Sequence, residues 1–280
     1  MSNVDYLVIG HISSDITEQG YKLGGTAAYS ATVAGTLGFR TAIITSAAED
    51  YKWEKALPGI QVHHIPSKAT TTFENIYTST GRHQKIHTIA NRLVPKHVPV
   101  QWLDTPIVHL GPIADEIDPE VIHLFKNSIL GITPQGWLRD WDDNGHVRAK
   151  NSVDAEHIYP KATAVILSEE DLMDQDQLNR YRSWSRLLVL TQGRRGCTVT
   201  FKGETRHVPV KPVGDVEPTG AGDIFATAFL IHYHRTGGDP WESARYANTI
   251  ASATVSEMDL ESKAACIRET QSKLDRSVKN

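Results

Sequence analysis

The chain has 280 residues, of which 40% are hydrophobic and 22% charged, with a net charge of -4, which fits a soluble globular protein of one large or two small domains. No Lys/Arg run gives the electrostatic footprint of a nucleic-acid binder, and no apolar stretch reaches the roughly 18 residues of a membrane span. Met1-Ser2-Asn3-Val4-Asp5 has neither a basic start nor an apolar signal core, and Cys197 and Cys266 sit at no metal spacing, so free thiols in a reducing cytoplasm are expected.

Tyr6-Leu7-Val8-Ile9-Gly10 is a short apolar run closed by glycine, the pattern of a buried strand. His11 to Asp15 follow its C-terminal end, where open α/β sheets bind ligands. Asp15 there is either an acceptor for ligand hydroxyls or a turn residue. Leu23-Gly24-Gly25 reads as a turn opening a small-residue helix from Thr26 to about Leu37, with Gly38 just past its cap. The glycine pair suits either close approach of backbone to a ligand or tight helix packing. Thr41 to Ser46 is the next strand, Glu49 to Leu57 a short helix, and Gln61 to Ile65 another strand. Thr71 to Thr78 and His83 to Ile89 alternate around Ser79-Thr80-Gly81-Arg82, which predicts an exposed hairpin. Such a hairpin is a candidate lid. Its free edges leave a monomer and a lid-mediated homodimer both open. His83, His87 and His97 lie nearby, but no carboxylate or cysteine joins them at ligand spacing, so a metal reading is set aside.

Pro106 to Gly111 resumes the parallel-sheet pattern, followed by a helix from Pro119 to Lys126 and a strand from Ile129 to Thr133. Gln135 and Arg139 then lie just past a strand end. Arg139 either binds an anion or pairs with Asp140, Asp142 or Asp143. The segment from Trp141 to His157 reads as polar loop. After the strand from Ala162 to Leu167, Ser168-Glu169-Glu170-Asp171 is either a serine cap with acids in the first turn or a water-mediated cation site. Leu187 to Thr191 runs into the corner Gln192-Gly193-Arg194-Arg195-Gly196, with paired strands from Cys197 to Phe201 and Arg206 to Val210.

Pro218-Thr219-Gly220-Ala221-Gly222-Asp223 precedes an apolar run at helical spacing, Ile224 to Leu230. Small residues let backbone amides converge, and a helix N-terminus adds free N–H groups and partial positive charge, which makes an anion site. A carboxylate there repels phosphate. Asp223 therefore either takes a proton from a nucleophilic hydroxyl or is a first-turn acid favoured by the dipole. A last small-residue helix runs from Asp239 to Val255 with Asn248 on it, and the polar tail from Ser272 to Asn280 is expected to fray.

These motifs, in this order, resemble the ribokinase-like (PfkB) family of carbohydrate and nucleoside kinases. The resemblance is carried by Thr219-Gly220-Ala221-Gly222-Asp223-Ile224-Phe225, Leu23-Gly24-Gly25, Thr191-x-Gly193-x-x-Gly196 and Ala247-Asn248. It implies one domain over 1–280, a three-layer α/β/α doubly wound, mostly parallel sheet, with lid segments at about 12–23 and 70–93. It implies transfer of the ATP γ-phosphoryl group to a substrate hydroxyl, with Asp223 as general base and the amides of Gly220, Ala221 and Gly222 stabilising the moving group. Asp15, Gly24 and Gly25 would hold the substrate, together with Gln135 and Arg139. Thr191, Gly193, Gly196, Thr219 and Asn248 would frame the nucleotide. Glu170 and Asp171 stand near the family's magnesium motif and would act through water. Glu217, Pro218 and Asp259 depart from the family's monovalent-cation pattern, so potassium activation is doubtful. Gln135-Gly136-x-Leu138-Arg139 and Ala27-Ala28-Tyr29-Ser30 resemble the inositol-kinase-like branch, which favours a cyclitol such as myo-inositol. A nucleoside kinase and a non-catalytic ligand-binding protein on the same fold are the alternatives.

Overall fold

The computed structural model describes residues 3–18, 20–53, 55–78, 81–152, 154–211 and 219–278. In chain order, β1 (Tyr6–Ile9), β2 (Ser13–Thr17) and β3 (Gly20–Gly24) lead into α1 (Thr26–Thr36). Next come β4 (Thr41–Ala48), β5 (Gln61–Ser67), β6 (Thr71–Thr78), β7 (Gly81–Thr88), β8 (Ile107–Leu110) and β9 (Ile129–Ile132). The hairpin β10 (Arg139–Trp141) and β11 (Val147–Ala149) is followed by α2 (Ala155–Ile158), β12 (Ala164–Ser168) and α3 (Gln175–Trp184). Then β13 (Leu187–Thr191), β14 (Cys197–Phe201) and β15 (Glu204–Val208) precede α4 (Ala221–Arg235), α5 (Pro240–Ala253) and α6 (Leu260–Val278).

The main sheet has nine strands in the order β15-β14-β13-β12-β9-β8-β1-β4-β5. It is parallel from β5 to β13, and β14 and β15 run antiparallel at one edge. β1 shows why the sequence reads as an unbroken apolar run. Tyr6 and Val8 enter one buried cluster, while Leu7 and Ile9 enter another on the opposite face. Both faces are covered, so every side chain is apolar or hydrogen-bonded. α1, α4 and α5 cover the first face. Ala27, Ala28, Ala31 and Ala34 are buried there, because small side chains let α1 lie close to its neighbours.

The chain leaves β1 toward β4 and β5, then returns to β8 on β1's other side. That reversal opens a crevice beyond the C-terminal ends of β1 and β8, the place where doubly wound sheets bind ligands. A four-stranded sheet, ordered β3-β2-β6-β7, stands over it. His11 fastens this small sheet to the body. It is fully buried, with Nδ1 2.7 Å from Thr71 Oγ1 and Nε2 2.9 Å from the Asn91 carbonyl.

Four local expectations are corrected. The stretch from Glu49 to Leu57 is turns rather than a helix among its described residues, tied by the Ala56 and Leu57 N–H groups to the Trp53 carbonyl. Pro58 disfavours a helical Leu57. Pro119–Leu124 is a 3-10 segment started by Pro119, with Asp118 accepting the Glu120 N–H at 3.0 Å. The segment after Trp141 holds β11, paired in register with β10, and the short α2. The tail does not fray by Ser272: α6 continues to Val278, with Lys263, Ala264 and Ile267 buried on one face and a Lys273–Glu269 pair at 2.8 Å on the other. Among the described residues no helix is long and apolar enough to cross a membrane.

Candidate active site

One cleft of about 550 Å³ runs between the small sheet and the strand ends of the body. Gly220, Ala221, Gly222 and Asp223 form its middle, and Thr219 borders it. Gly220 caps α4 in the left-handed conformation, at φ 79°. A side chain there would also meet the buried Tyr29 ring, with its Cβ 2.8 Å from Cζ and closer still to the ring edge. Glycine is required on both counts. Gly220 has no side chain to cap α4, and among the described residues the first turn of the helix borders the cleft. Space around Gly222 is open.

Asp223 follows in that first turn. Burial pushes its pKa up from 3.8 to about 6. A hydrogen bond from the Thr26 hydroxyl and the positive charge of Arg139 oppose that rise, and the negative charges of Asp171 and Asp15 reinforce it. The cleft thus gathers four carboxylates, Asp15, Glu170, Asp171 and Asp223, and the Arg139 guanidinium from β2, the turn after β12, α4 and β10.

The end under the small sheet carries Ser13, Asp15, Phe73 and Gln84 from its strands and Ile113, Thr133, Gln135 and Arg139 from the body. Ser13 Oγ donates to Asp15 Oδ1 at 2.7 Å. Gly24 does not line the cleft. It stands behind Asp15, where a Cβ would lie 2.5 Å from Oδ2. Gly25, at φ 87°, lines the cleft and lets the chain pass the His11 carbonyl, which a Cβ would approach to 2.5 Å. Each glycine thus makes room for a protein group, Gly24 for the Asp15 carboxylate and Gly25 for the His11 carbonyl. Of the surface partners weighed for Arg139, Asp140 bonds Arg148 at 2.8 Å and Asp142 bonds His146. Arg139 itself borders the cleft. Its hairpin is tied to the small sheet through the Ile86 N–H and the Gly145 carbonyl, at 2.8 Å.

At the opposite end lie Thr191, Gly193, Gly196 and Asn248. Gly193 faces open space, whereas a Cβ on Gly196 would fall 2.9 Å from the Val210 nitrogen. The first leaves room for a ligand, and the second lets the corner close on β15. Asn248 gives its Nδ2 hydrogens to the Val208 and Pro209 carbonyls at 2.9 and 3.4 Å, so its amide is also a structural tie. Ser168-Glu169-Glu170-Asp171 forms the serine-capped turn: Ser168 Oγ accepts the Glu170 N–H, and Asp171 Oδ2 accepts the Ser168 N–H, each at 3.2 Å. Glu170 and Asp171 still border the cleft. No group of three or more His, Cys, Asp or Glu side chains able to hold a metal occurs among the described residues. The two acids fit a magnesium ion carried mainly by phosphate and water, and no metal held by protein alone. Glu217 and Pro218 lie outside the described residues.

Several residues at this site had no sequence signal. Glu116 is buried and accepts the N–H groups of His11 at 2.9 Å, Ile113 at 2.9 Å and Ala114 at 2.7 Å, which fixes the loops after β1 and β8. Phe73 and Ile113 are apolar residues of the cleft wall brought together where the small sheet meets the body. Thr133, at a strand end, carried the same positional signal as Gln135.

The sequence pattern of "pfkB family carbohydrate kinase" matches residues 152–264. The cytidine kinase of Thermococcus kodakarensis is 28% identical over 265 residues, covering 85% of this chain and 91% of that protein. The inositol 3-kinase of Arabidopsis thaliana is 22% identical, covering 80% and 67%. Among solved structures, a pyrophosphate-dependent kinase in the ribokinase family, complexed with a pyrophosphate analogue and myo-inositol, superposes with a TM-score of 0.76 at 20% identity, covering 89% of this chain and 94% of that one. Ribokinase from Thermotoga maritima gives 0.72 at 18%, covering 96% and 99%. The fold is ribokinase-like, and the class is a phosphotransferase with an alcohol group as acceptor. Over residues 152–264 the chain is similar to the pfkB family of carbohydrate kinases.

Proposed function

We propose that this protein transfers the γ-phosphoryl group of ATP to a hydroxyl of a small polyol, a cyclitol such as myo-inositol. The carrying observation is the position of Asp223, between the two ends of one cleft and in the first turn of α4. The acceptor lies under the small sheet, with hydroxyls on Asp15, Thr133, Gln135 and Arg139. ATP lies toward Thr191, Gly193, Gly196, Thr219 and Asn248. Asp223 accepts the proton of the attacking hydroxyl as its oxygen bonds to the γ-phosphorus and the bond to the ADP oxygen breaks. The amides of Gly220, Ala221 and Gly222 receive the charge spread over the transferring oxygens. A pKa near 6 keeps Asp223 ionised at neutral pH yet basic enough for this work. Magnesium near Glu170 and Asp171 would supply charge neutralisation on the phosphates. The polar lining supports a compact acceptor bearing several hydroxyls.

A nucleoside acceptor is the second reading. Phe73 and Ile113 offer an apolar wall to a flat base, and the relative from Thermococcus kodakarensis is named a cytidine kinase. Measuring ADP release with myo-inositol, other cyclitols, free sugars and cytidine separates the readings. Turnover of cyclitols is the expected result, turnover of cytidine alone selects the second reading, and ATP bound without consumption by any acceptor refutes both.

A further inference from the structure

Where the cleft holds Asn248, its wall also includes Ala251, Ser252 and Val255, from the last turn of α5 and the turn that follows it. Behind that wall lies a lysine that the reaction scheme above does not use. Lys263, on α6, is only 1% exposed, and its Nζ donates to the Thr254 carbonyl at 2.9 Å. Thr254 caps the C-terminal end of α5 and is itself fully buried. The same carbonyl accepts the Glu257 N–H at 3.1 Å, so both of its lone pairs are engaged. Further along α6, Cys266 Sγ donates to the Ala253 carbonyl at 3.0 Å. The Met258 carbonyl accepts from Nζ of Lys22, which comes from β3 of the small sheet. Asp259 departs from the monovalent-cation pattern of ribokinase-like kinases, and in this chain it opens the helix that carries Lys263 inward. Its Oδ1 accepts the Ser262 N–H at 2.8 Å, and its carbonyl accepts the Lys263 N–H at 3.1 Å.

A buried ammonium is retained only where acceptor oxygens replace the water it loses. The C-terminal end of a helix supplies carbonyl oxygens without intrahelical partners, together with a partial negative charge. A soluble monovalent cation at this turn would need the same oxygens. Thr254 has no lone pair left to give it, and Met258 already carries a second ammonium. Like charges also repel strongly where water is scarce. These carbonyls therefore do not fit a potassium site: the chain has filled the place with its own side chains.

We propose that Lys263 is a positioning residue for the phosphoryl donor: its ammonium is the built-in cation of the turn after α5, it sets the wall formed by Ser252 and Val255, and it makes the protein independent of soluble monovalent cations. The effect on ATP rests on the kinase reading, whereas the occupation of the turn by an ammonium does not. The first test uses the unaltered protein. ATP affinity measured by titration calorimetry should be the same in potassium, sodium and choline chloride at equal ionic strength. A gain of about tenfold or more in potassium would overturn the proposal.

The second arm removes the ammonium. Lys263→Ala leaves room behind the turn and should bind ATP about tenfold more weakly, the value of one hydrogen bond to a charged group, with acceptor KM unchanged. Methylammonium should restore ATP affinity and raise the Tm of this variant while leaving the unaltered protein as it is, and the bulkier choline should do neither. Lys263→Met keeps the bulk without the charge, so it should lose the same affinity and gain nothing from methylammonium. Full ATP affinity in Lys263→Met, or an equal loss of acceptor binding, would overturn the proposal. Should Lys263→Ala fail to fold, the salt series on the unaltered protein carries the decision. If the unaltered protein binds no ATP, the functional reading fails, and the methylammonium effect on Tm still decides this one: present only in Lys263→Ala it supports the built-in cation, and absent there it overturns it.

Discussion

Asp223→Asn separates the cost of the site from its chemistry. The carboxyl moves from 3.8 to about 6 on folding, chiefly because burial disfavours the charged form. At 1.36 kcal/mol for each tenfold change in acidity, ionised Asp223 destabilises the fold by about 3 kcal/mol. The sign follows from proton counting. Between the unfolded and folded values the folded state binds more protons, so its contribution to stability is lost as pH rises from about 4 to about 6 and stays lost above that. Asparagine keeps the shape and can still bond the Thr26 hydroxyl, but it never ionises. At pH 7.5 the variant should therefore be more stable by up to about 3 kcal/mol, a rise in Tm of several degrees for a chain of this size. Thermal melts across pH 4 to 8 check this: the unaltered protein should lose stability through that window relative to the variant, and the two curves should converge near pH 4. Turnover should fall by several orders of magnitude at the same time, because the proton acceptor is gone. A variant that is less stable than the parent at pH 7.5, or that turns over at near-normal rate, refutes the assigned environment or role.

Removing the guanidinium in Arg139→Ala takes away a charge that lowers the Asp223 pKa, so the acid limb of the pH–rate profile should move to higher pH, and an unmoved limb would separate the two groups. Gly24→Ala places a Cβ 2.5 Å from Asp15 Oδ2 and should raise acceptor KM by about 10-fold or more with ATP KM unchanged, as read in initial-rate measurements. Gly220→Ala combines a left-handed φ of 79° with a clash against Tyr29, and should cost about 2 kcal/mol or more in urea unfolding. Glu116→Ala leaves three buried N–H groups without their acceptor, and should cost about 3 kcal/mol or more in the same assay.

The parts of this site legible in the sequence are those where backbone geometry demands a particular residue. Gly220 and Gly25 hold positive φ, and Asp223 opens a helix directly after small residues, so each left a local trace. β1 and its parallel neighbours were legible because burial on both faces produces unbroken apolar runs. What escaped depends on contacts between distant residues. Glu116 meets His11 across 105 positions, and Tyr6 meets His109 across 103. Nothing local marks a glutamate that will be buried under three amides. The apolar spacing of Pro119–Leu124 suits an α-helix and a 3-10 segment alike. The polar residues at the end of α6 carry no core signal, yet i,i+4 bonds such as Gln271 to Asp275 at 2.6 Å sustain the helix.

The most direct measurement is 31P NMR of the purified protein with ATP, magnesium and myo-inositol, repeated with the other acceptors and with Asp223→Asn. Growth of a phosphomonoester signal matched by ADP, present with the unaltered protein and absent with the variant, is the expected result. Phosphoryl transfer that persists in the variant, or ATP left intact with every acceptor, would contradict the assignment of Asp223 as the base of a hydroxyl kinase.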